Sequence, residues 1–339
     1  MVNYSQTLNH VINGQDLSFD TMQNLMRQVM AGELTSAQIA GLLVALRIKG
    51  ETVDEIAAAA SVMRELSAKV SIQDSTHLID TCGTGGDGIQ TFNVSTVSAF
   101  VAAAAGAKVA KHGGRSVSST CGSADVLEVL GVNVNQTPEQ VANCVNSIGL
   151  GFMFAPNHHS AMKHSAPVRR ELGVRTLFNL LGPLTNPANA KRQVMGVFSA
   201  ALTSKLAHVL KQLGNEQVMV VCGADGMDEI SFTGDTYVAE LKDGKVSEYT
   251  LNPSQFGLSL HDLASIQVND AHASKVMILE VLAGKTGAAR DIVLLNAGAA
   301  IYVSGIVPSL QAGIATAAEM LDSGKAMQKL QQLIAMTNT

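Results

Sequence analysis

The chain has 339 residues, 47% hydrophobic and only 15% charged: enough to bury one large core or a core with a small satellite unit, and too apolar for a disordered or fibrous chain. Its net charge of -5, with no cluster of Lys or Arg, leaves no electrostatic footprint for a polyanion. Nucleic acid and acidic membranes are therefore poor candidate partners, and any phosphate site has to be local.

The first seventy residues predict consecutive helices. Ser18 opens an apolar pattern of helical period that stops at Gly32. Thr35 with Gln38, and Thr52 with Glu55, form capping boxes for helices ending at Gly50 and near Ala68. From His77 the texture changes to short apolar runs that end in glycine-rich turns and lead into helical patterns, the signature of βαβ units and a parallel sheet. The predicted strands are HLIDT, AKVAKHG, LGFMFA, VMGVFS and QVMVVCG. Val97 to Ala110, the longest apolar stretch, is interrupted by Ser98, Gly106 and Lys108, so it reads as a buried helix and a strand and not as a membrane span. Thr137 and Gln140, with Pro138 at the first position, box a further helix, and Ser204 to Leu213 stops at Gly214. TYVAEL and VSEYTL form a hairpin that turns at Asp243 and Gly244, and the chain closes with helices over 271–283, 288–303 and 309–333. Cys82, Cys121, Cys144 and Cys222 form no CxxC pair, and MVNYSQTLNHVINGQ shows no secretory pattern, so a cytoplasmic setting is expected.

Four segments carry chemistry. Asp80 to Gly88 follows a predicted strand and leads through Thr91 to Thr96 into an alanine-rich helix. Glycines 83, 85, 86 and 88 allow positive φ and let amide N–H groups approach an anion, while the helix start adds free amides and a favourable dipole. No Gly-Lys-Ser/Thr follows as in a Walker loop, and alone the segment is a phosphate cradle or a tight turn that binds nothing. Lys111 to Ser119 packs two cations, a histidine and three hydroxyls into nine residues, as a second phosphoryl site or as a polar surface loop. Two such loops after adjacent strands face one crevice. Asp228 and Glu229 follow the strand QVMVVCG and offer hard oxygen ligands suited to magnesium, although an isolated acidic pair is often simply solvated. The histidines between 158 and 164 have no acidic or thiol partner at helical spacing and do not suggest a metal. Arg169, beyond them, is either a bidentate contact for a substrate carboxylate or a surface cation.

Together these segments resemble the anthranilate phosphoribosyltransferase family over essentially the whole chain. The motifs that carry the resemblance are GTGGD with NxST (Gly83 to Asp87, Asn93 to Thr96), a KHGNR-like loop (Lys111 to Arg115), VRxxLG (Val168 to Gly173), NxLGPLxNP (Asn179 to Pro187) and the DE pair (Asp228, Glu229). The resemblance implies an α/β fold of the type III nucleoside-phosphorylase-like kind. A small N-terminal helical domain, residues 1–72 joined by helices from about 163–190, precedes a larger domain, 73–339, with a mainly parallel central sheet flanked by helices. The implied activity is transfer of the phosphoribosyl group from 5-phosphoribosyl 1-diphosphate to the amino group of anthranilate, in tryptophan biosynthesis, by a homodimer that uses two Mg2+ ions per monomer. The implied donor contacts are Gly83, Gly86, Asp87, Thr91, Asn93, Val94, Ser95 and Thr96 from the first loop. The second loop adds Lys111, His112, Gly113, Gly114, Arg115, Ser116, Val117, Ser118, Ser119 and Ser123. Ser95 with Glu229 would hold one magnesium and Asp228 with Glu229 the other, while Gly83, His112, Gly114, His159 and Arg169 would line the anthranilate pocket. No catalytic base is expected, because an aromatic amine is already neutral at pH 7; positioning and electrostatics carry the reaction.

The sequence departs from the family loop at Gly114, which replaces the asparagine, and at Thr120 and Cys121, which replace a common lysine and serine. Loss of one amide hydrogen bond to the acceptor costs about 1 kcal/mol, several-fold in affinity. Three rival readings share the architecture: a pyrimidine-nucleoside phosphorylase, a transferase to another aromatic acceptor, and a nucleic-acid-binding module. The GTGGD-to-NxST spacing, the GPLTNP stretch and the DE pair fit the transferase better, and the negative net charge disfavours the module.

Overall fold

A computed structural model describes residues 3–115 and 121–339. Four helices come first: α1 (Tyr4–Ile12), α2 (Phe19–Ala31), α3 (Ser36–Lys49) and α4 (Val53–Leu66). The last three start where the sequence predicts. Ser18 accepts the Thr21 N–H, and Thr35/Gln38 and Thr52/Glu55 close both halves of their capping boxes. Glu55 is fully buried and also accepts from Leu17 N and Lys49 Nζ, each at 2.9 Å, so one capping carboxylate ties the entry of α2 to the end of α3. Both of its buried carboxylate oxygens are thereby hydrogen-bonded. α1, capped by Asn3, is a further helix that the three start signals did not mark.

The remainder alternates strands and helices: β1 (Leu78–Gly83), α5 (Val94–Ala104), β2 (Lys108–Gly113), α6 (Ser123–Val129), α7 (Pro138–Ile148) and β3 (Leu150–Phe154). Next come three short helices, α8 (Ala155–His158), α9 (Ala166–Leu172) and α10 (Phe178–Leu181), and then β4 (Arg192–Gly196), α11 (Thr203–Gln212) and β5 (Gln217–Gly223). The hairpin β6 (Thr236–Lys242) and β7 (Lys245–Leu251) precedes α12 (Ala271–Leu282), α13 (Ala288–Val303), α14 (Leu310–Asp322) and α15 (Lys325–Thr337). The described strands form one sheet in the order β3-β2-β1-β4-β5-β6-β7, parallel from β3 to β5 and antiparallel at the hairpin. Asp243 and Gly244 both take positive φ at its turn, as a two-residue hairpin connection demands.

Alternate strand residues divide the core between the two faces of the sheet. Val194, Met219 and Val221 pack with Phe100 and Val101 of α5 and Leu295 of α13. Met195, Val218 and Val220 pack instead with Leu206 and Leu210 of α11, in a core that runs on through Ile56 of α4 into the helical bundle and takes in Leu177, Phe178 and Leu181. Segment 177–181 thus seals the helical bundle although it lies far from it in sequence.

Three expectations change in detail. The predicted helix over 309–333 is two helices, α14 and α15, because Gly324 takes φ +72 between them. α4 stops at Leu66, since Ser67 is already extended. β4 begins at Arg192 and ends at Gly196, earlier than the run VMGVFS. Among the described residues no helix is long and apolar enough to cross a membrane.

Candidate active site

The chain leaves β1 for β2 and β3 on one side and returns to β4 on the other, so the loops after β1 and β4 part at a topological switch point, where open α/β sheets bind ligands. Gly83 and Gly196, the last residues of those strands, are register partners. The turn carrying Asp228 crosses directly above them. A Cβ on Gly196 would fall 1.5 Å from the Asp228 carbonyl oxygen, and one on Gly83 would fall 2.3 Å from Asp228 Oδ2. Gly83 is therefore a glycine of close approach, not of positive φ; Gly85, Gly86 and Gly88 take φ +62, +79 and +77 and make the turn.

Lys111 lies on β2, not in the loop beyond it, and is 3% exposed. Its Nζ donates to the Thr81 carbonyl and to Ser95 Oγ at 3.1 Å. Burial pushes its ammonium down, opposed first by the charge of Asp80. Asp80 is wholly buried and accepts from His112 N at 3.1 Å and from Asn186 Nδ2 at 2.7 Å; burial pushes its carboxyl up, opposed by Lys111. Ser95 N donates to Glu229 Oε1 at 3.1 Å, so Ser95 links the cation to the acidic turn.

Asp228 Oδ2 accepts the Gly85 N–H at 2.8 Å and its carboxyl faces that of Asp87 within hydrogen-bonding reach. Desolvation, then the Asp87 charge, raises the Asp228 carboxyl to about 7. Desolvation, then Asp228, holds Glu229 well above the usual carboxylate range, with Lys111 opposing. Both side chains keep some exposure at the crevice mouth, which tempers the desolvation. Three carboxylates crowded at the edge of a glycine turn, with one buried lysine against them, are a donor set that wants a further cation. Among the described residues no three His, Cys, Asp or Glu groups converge to enclose a metal. The arrangement suits magnesium, which takes one or two carboxylates and leaves its other positions to water and phosphate.

The second loop is fastened to the first through Asn93. Its Oδ1 accepts from Ser274 Oγ at 2.7 Å and from Cys121 Sγ, and its Nδ2 donates to the Cys121 carbonyl. Val94 and Thr96 are buried in the first turn of α5, and Thr91 bridges to Gln267 at the loop's far side. Gly113 packs against Phe152 and Ser123, where a Cβ would come within 3.1 and 3.3 Å, whereas Gly114 has nothing within 4 Å of where its Cβ would be. Arg115 turns to Asp125 and Glu128 of α6, at 2.9 and 2.7 Å, and leaves half its side chain exposed. Ser116, Val117, Ser118 and Ser119 lie outside the described residues.

His112 and His159 meet edge to face with ring centroids 5.0 Å apart, and Nε2 of each is buried without a partner among the described residues. Burial, helped by His159, drives the His112 imidazole well below its ordinary value, and burial, helped by His158, takes His159 down to about 4, so both are neutral at pH 7. His158 is fixed to the Ala68 carbonyl at 3.0 Å. Arg169, on α9, is half-buried over the Phe178 ring at 5.4 Å, with no carboxylate partner among the described residues.

Two side chains that sequence reasoning passed over belong to this place. Asn186, inside the NxLGPLxNP stretch, holds Asp80 and the Ala110 carbonyl. Arg175 reaches the Gly86 carbonyl from the segment between α9 and α10. Only its distance from Arg169 and the glycine at 173 hinted that it stood in the same loop. A separate cavity of about 400 Å3 opens at the amino ends of β1 and β4, lined by His77, Asn189, Lys191, Arg192 and Glu216, at the opposite end of the sheet.

Comparison with known proteins identifies the family. The glycosyl transferase family, helical bundle domain, matches residues 5–67, and the glycosyl transferase family, a/b domain, matches 75–327. An anthranilate phosphoribosyltransferase of Methylobacillus flagellatus is 66% identical over 97% of this chain and 97% of its own. The crystal structure of that enzyme from Thermus thermophilus superposes with a TM-score of 0.93 at 43% identity, over 98% of this chain and 99% of the other. The Saccharomyces cerevisiae enzyme in complex with PRPP and Mg gives 0.88 at 27% identity, over 98% of each chain. The crevice, its glycine turn and its acidic pair therefore belong to a chain of the anthranilate phosphoribosyltransferase family.

Proposed function

We propose that the protein transfers the phosphoribosyl group of 5-phosphoribosyl 1-diphosphate to the amino group of anthranilate, giving N-(5-phosphoribosyl)anthranilate and diphosphate, in tryptophan biosynthesis. The observation that carries this is the convergence of the glycine turn, the Lys111–Ser95 pair and Asp228 with Glu229 at one switch point. The ribose C1–O bond to diphosphate breaks, a C1–N bond forms, and the amine gives up a proton to solvent.

In this reading Gly83, Gly86, Asp87, Thr91, Asn93, Val94, Ser95 and Thr96 meet the donor with Lys111 and the second loop, through Ser123. Amides of the turn and the start of α5 receive phosphoryl oxygens. Lys111, pinned by two oxygens, presents a fixed cation where the leaving group gathers negative charge, without reorganising during the reaction. Ser95 with Glu229 would hold one magnesium ion and Asp228 with Glu229 a second; bound magnesium neutralises charge on the departing diphosphate. His112, Gly114, His159 and Arg169 receive anthranilate: the neutral imidazoles offer an aromatic wall, and the unpaired guanidinium suits the carboxylate. No side chain has to take a proton from the amine. The same reading makes the protein a cytoplasmic homodimer, with the four free, buried cysteines in keeping with a reducing compartment.

The test sets two substrate pairs against each other. Anthranilate with the phosphoribosyl donor should give a product heavier by one phosphoribosyl group in mass spectrometry, while thymidine with phosphate should stay intact. Cleavage of thymidine without reaction of anthranilate would transfer the assignment to a nucleoside phosphorylase.

A further inference from the structure

We propose that Arg175 is a positioning residue that latches the glycine turn in its donor-receiving shape, an inference that rests on the role of that turn given above. Arg175 follows α9 by three residues and bridges three pieces of chain. Its guanidinium lies over the Phe198 ring at 4.1 Å, just beyond β4, and its NH2 group donates to the Gly86 carbonyl. The two halves of a trans peptide point in opposite directions, so holding the Gly86 oxygen outward turns the Asp87 N–H the other way, into the turn. Gly85 N is held by Asp228 at 2.8 Å, and Thr84 N by the Gly196 carbonyl at 2.9 Å. Glycines at 85, 86 and 88 lose the most conformational freedom of any residue when ordered, so without an external hold this turn would sample many shapes. Phe198 supplies the platform that aims the guanidinium.

Hydrogen exchange in the ligand-free protein and calorimetric binding of the donor with magnesium, in the absence of anthranilate, test this in R175A, R175K and F198L. The latch predicts faster exchange of the amides from Thr84 to Ile89 in R175A, donor affinity weakened roughly tenfold, partial recovery in R175K, and a smaller loss in F198L. Melting temperatures should stay near that of the wild type. Unchanged exchange over 84–89 with donor affinity within twofold in R175A would overturn the latch; if R175A does not fold, R175K and F198L carry the same readings. A wild-type protein that binds no donor would overturn the proposed function, and exchange alone would then judge the latch.

Discussion

Lys111 and the Asp228–Glu229 pair are in opposite electrostatic condition. The lysine is buried with two oxygen acceptors, whereas Asp228 and Glu229 are raised by burial and by neighbouring carboxylates, with the charge of Lys111 opposing at Glu229. Such strain is expected where residues serve a ligand and not the fold. Asp228→Asn with Glu229→Gln removes the repulsion but also the proposed magnesium ligands. Turnover should fall roughly a thousandfold, while the metal-free protein gains about 1–3 kcal/mol, several degrees of Tm by calorimetry. Retained turnover would dismiss the metal assignment, and a lowered Tm the repulsion. Gly114 poses a different question at the acceptor side. Nothing lies within 4 Å of a Cβ there and its φ is not positive, so Gly114→Asn should fold unchanged and lower the KM for anthranilate several-fold. An unchanged or raised KM would mean a pocket already retuned around glycine.

The elements were largely legible because they announce themselves locally. Ser18, Thr35, Thr52 and Thr137 each begin a helix by capping it, and Asp243-Gly244 closes the hairpin. The break at Gly324 was not legible, since an isolated glycine within an apolar period reads as tolerated until its φ is known. Gly196 is the sharpest case of a residue whose reason is long-range: nothing in its neighbourhood of sequence tells that Asp228 crosses above it. Gly196→Ala should displace the acidic turn, lower stability by about 3 kcal/mol and remove most activity. Gly88→Ala, with open space but φ +77, should cost about 1 kcal/mol in the turn. Equal effects of the two, measured by chemical denaturation, would show that backbone conformation and not close approach governs this crevice.

At the scale of the molecule, the alternation of strand and helix predicted a parallel sheet with ligands at its carboxyl ends, but not the order β3-β2-β1-β4-β5 that creates the switch point. Pairing between β1 and β4 joins residues more than a hundred positions apart, and local pattern carries no signal for it. For the same reason Asn186 and Arg175 were invisible as partners of Asp80 and Gly86, while the two loops, dense in Gly, Ser, Thr and Lys, stood out. In the proposed reading these distant pieces serve one two-substrate site, with the glycine turn and Lys111 meeting the donor and His112, His159 and Arg169 receiving the acceptor. The most direct measurement follows the fluorescence of anthranilate with the phosphoribosyl donor and magnesium, each omitted in turn. The account predicts loss of the signal only when all three are present, abolished by a chelator and restored by added magnesium; a steady signal with all three present would contradict it.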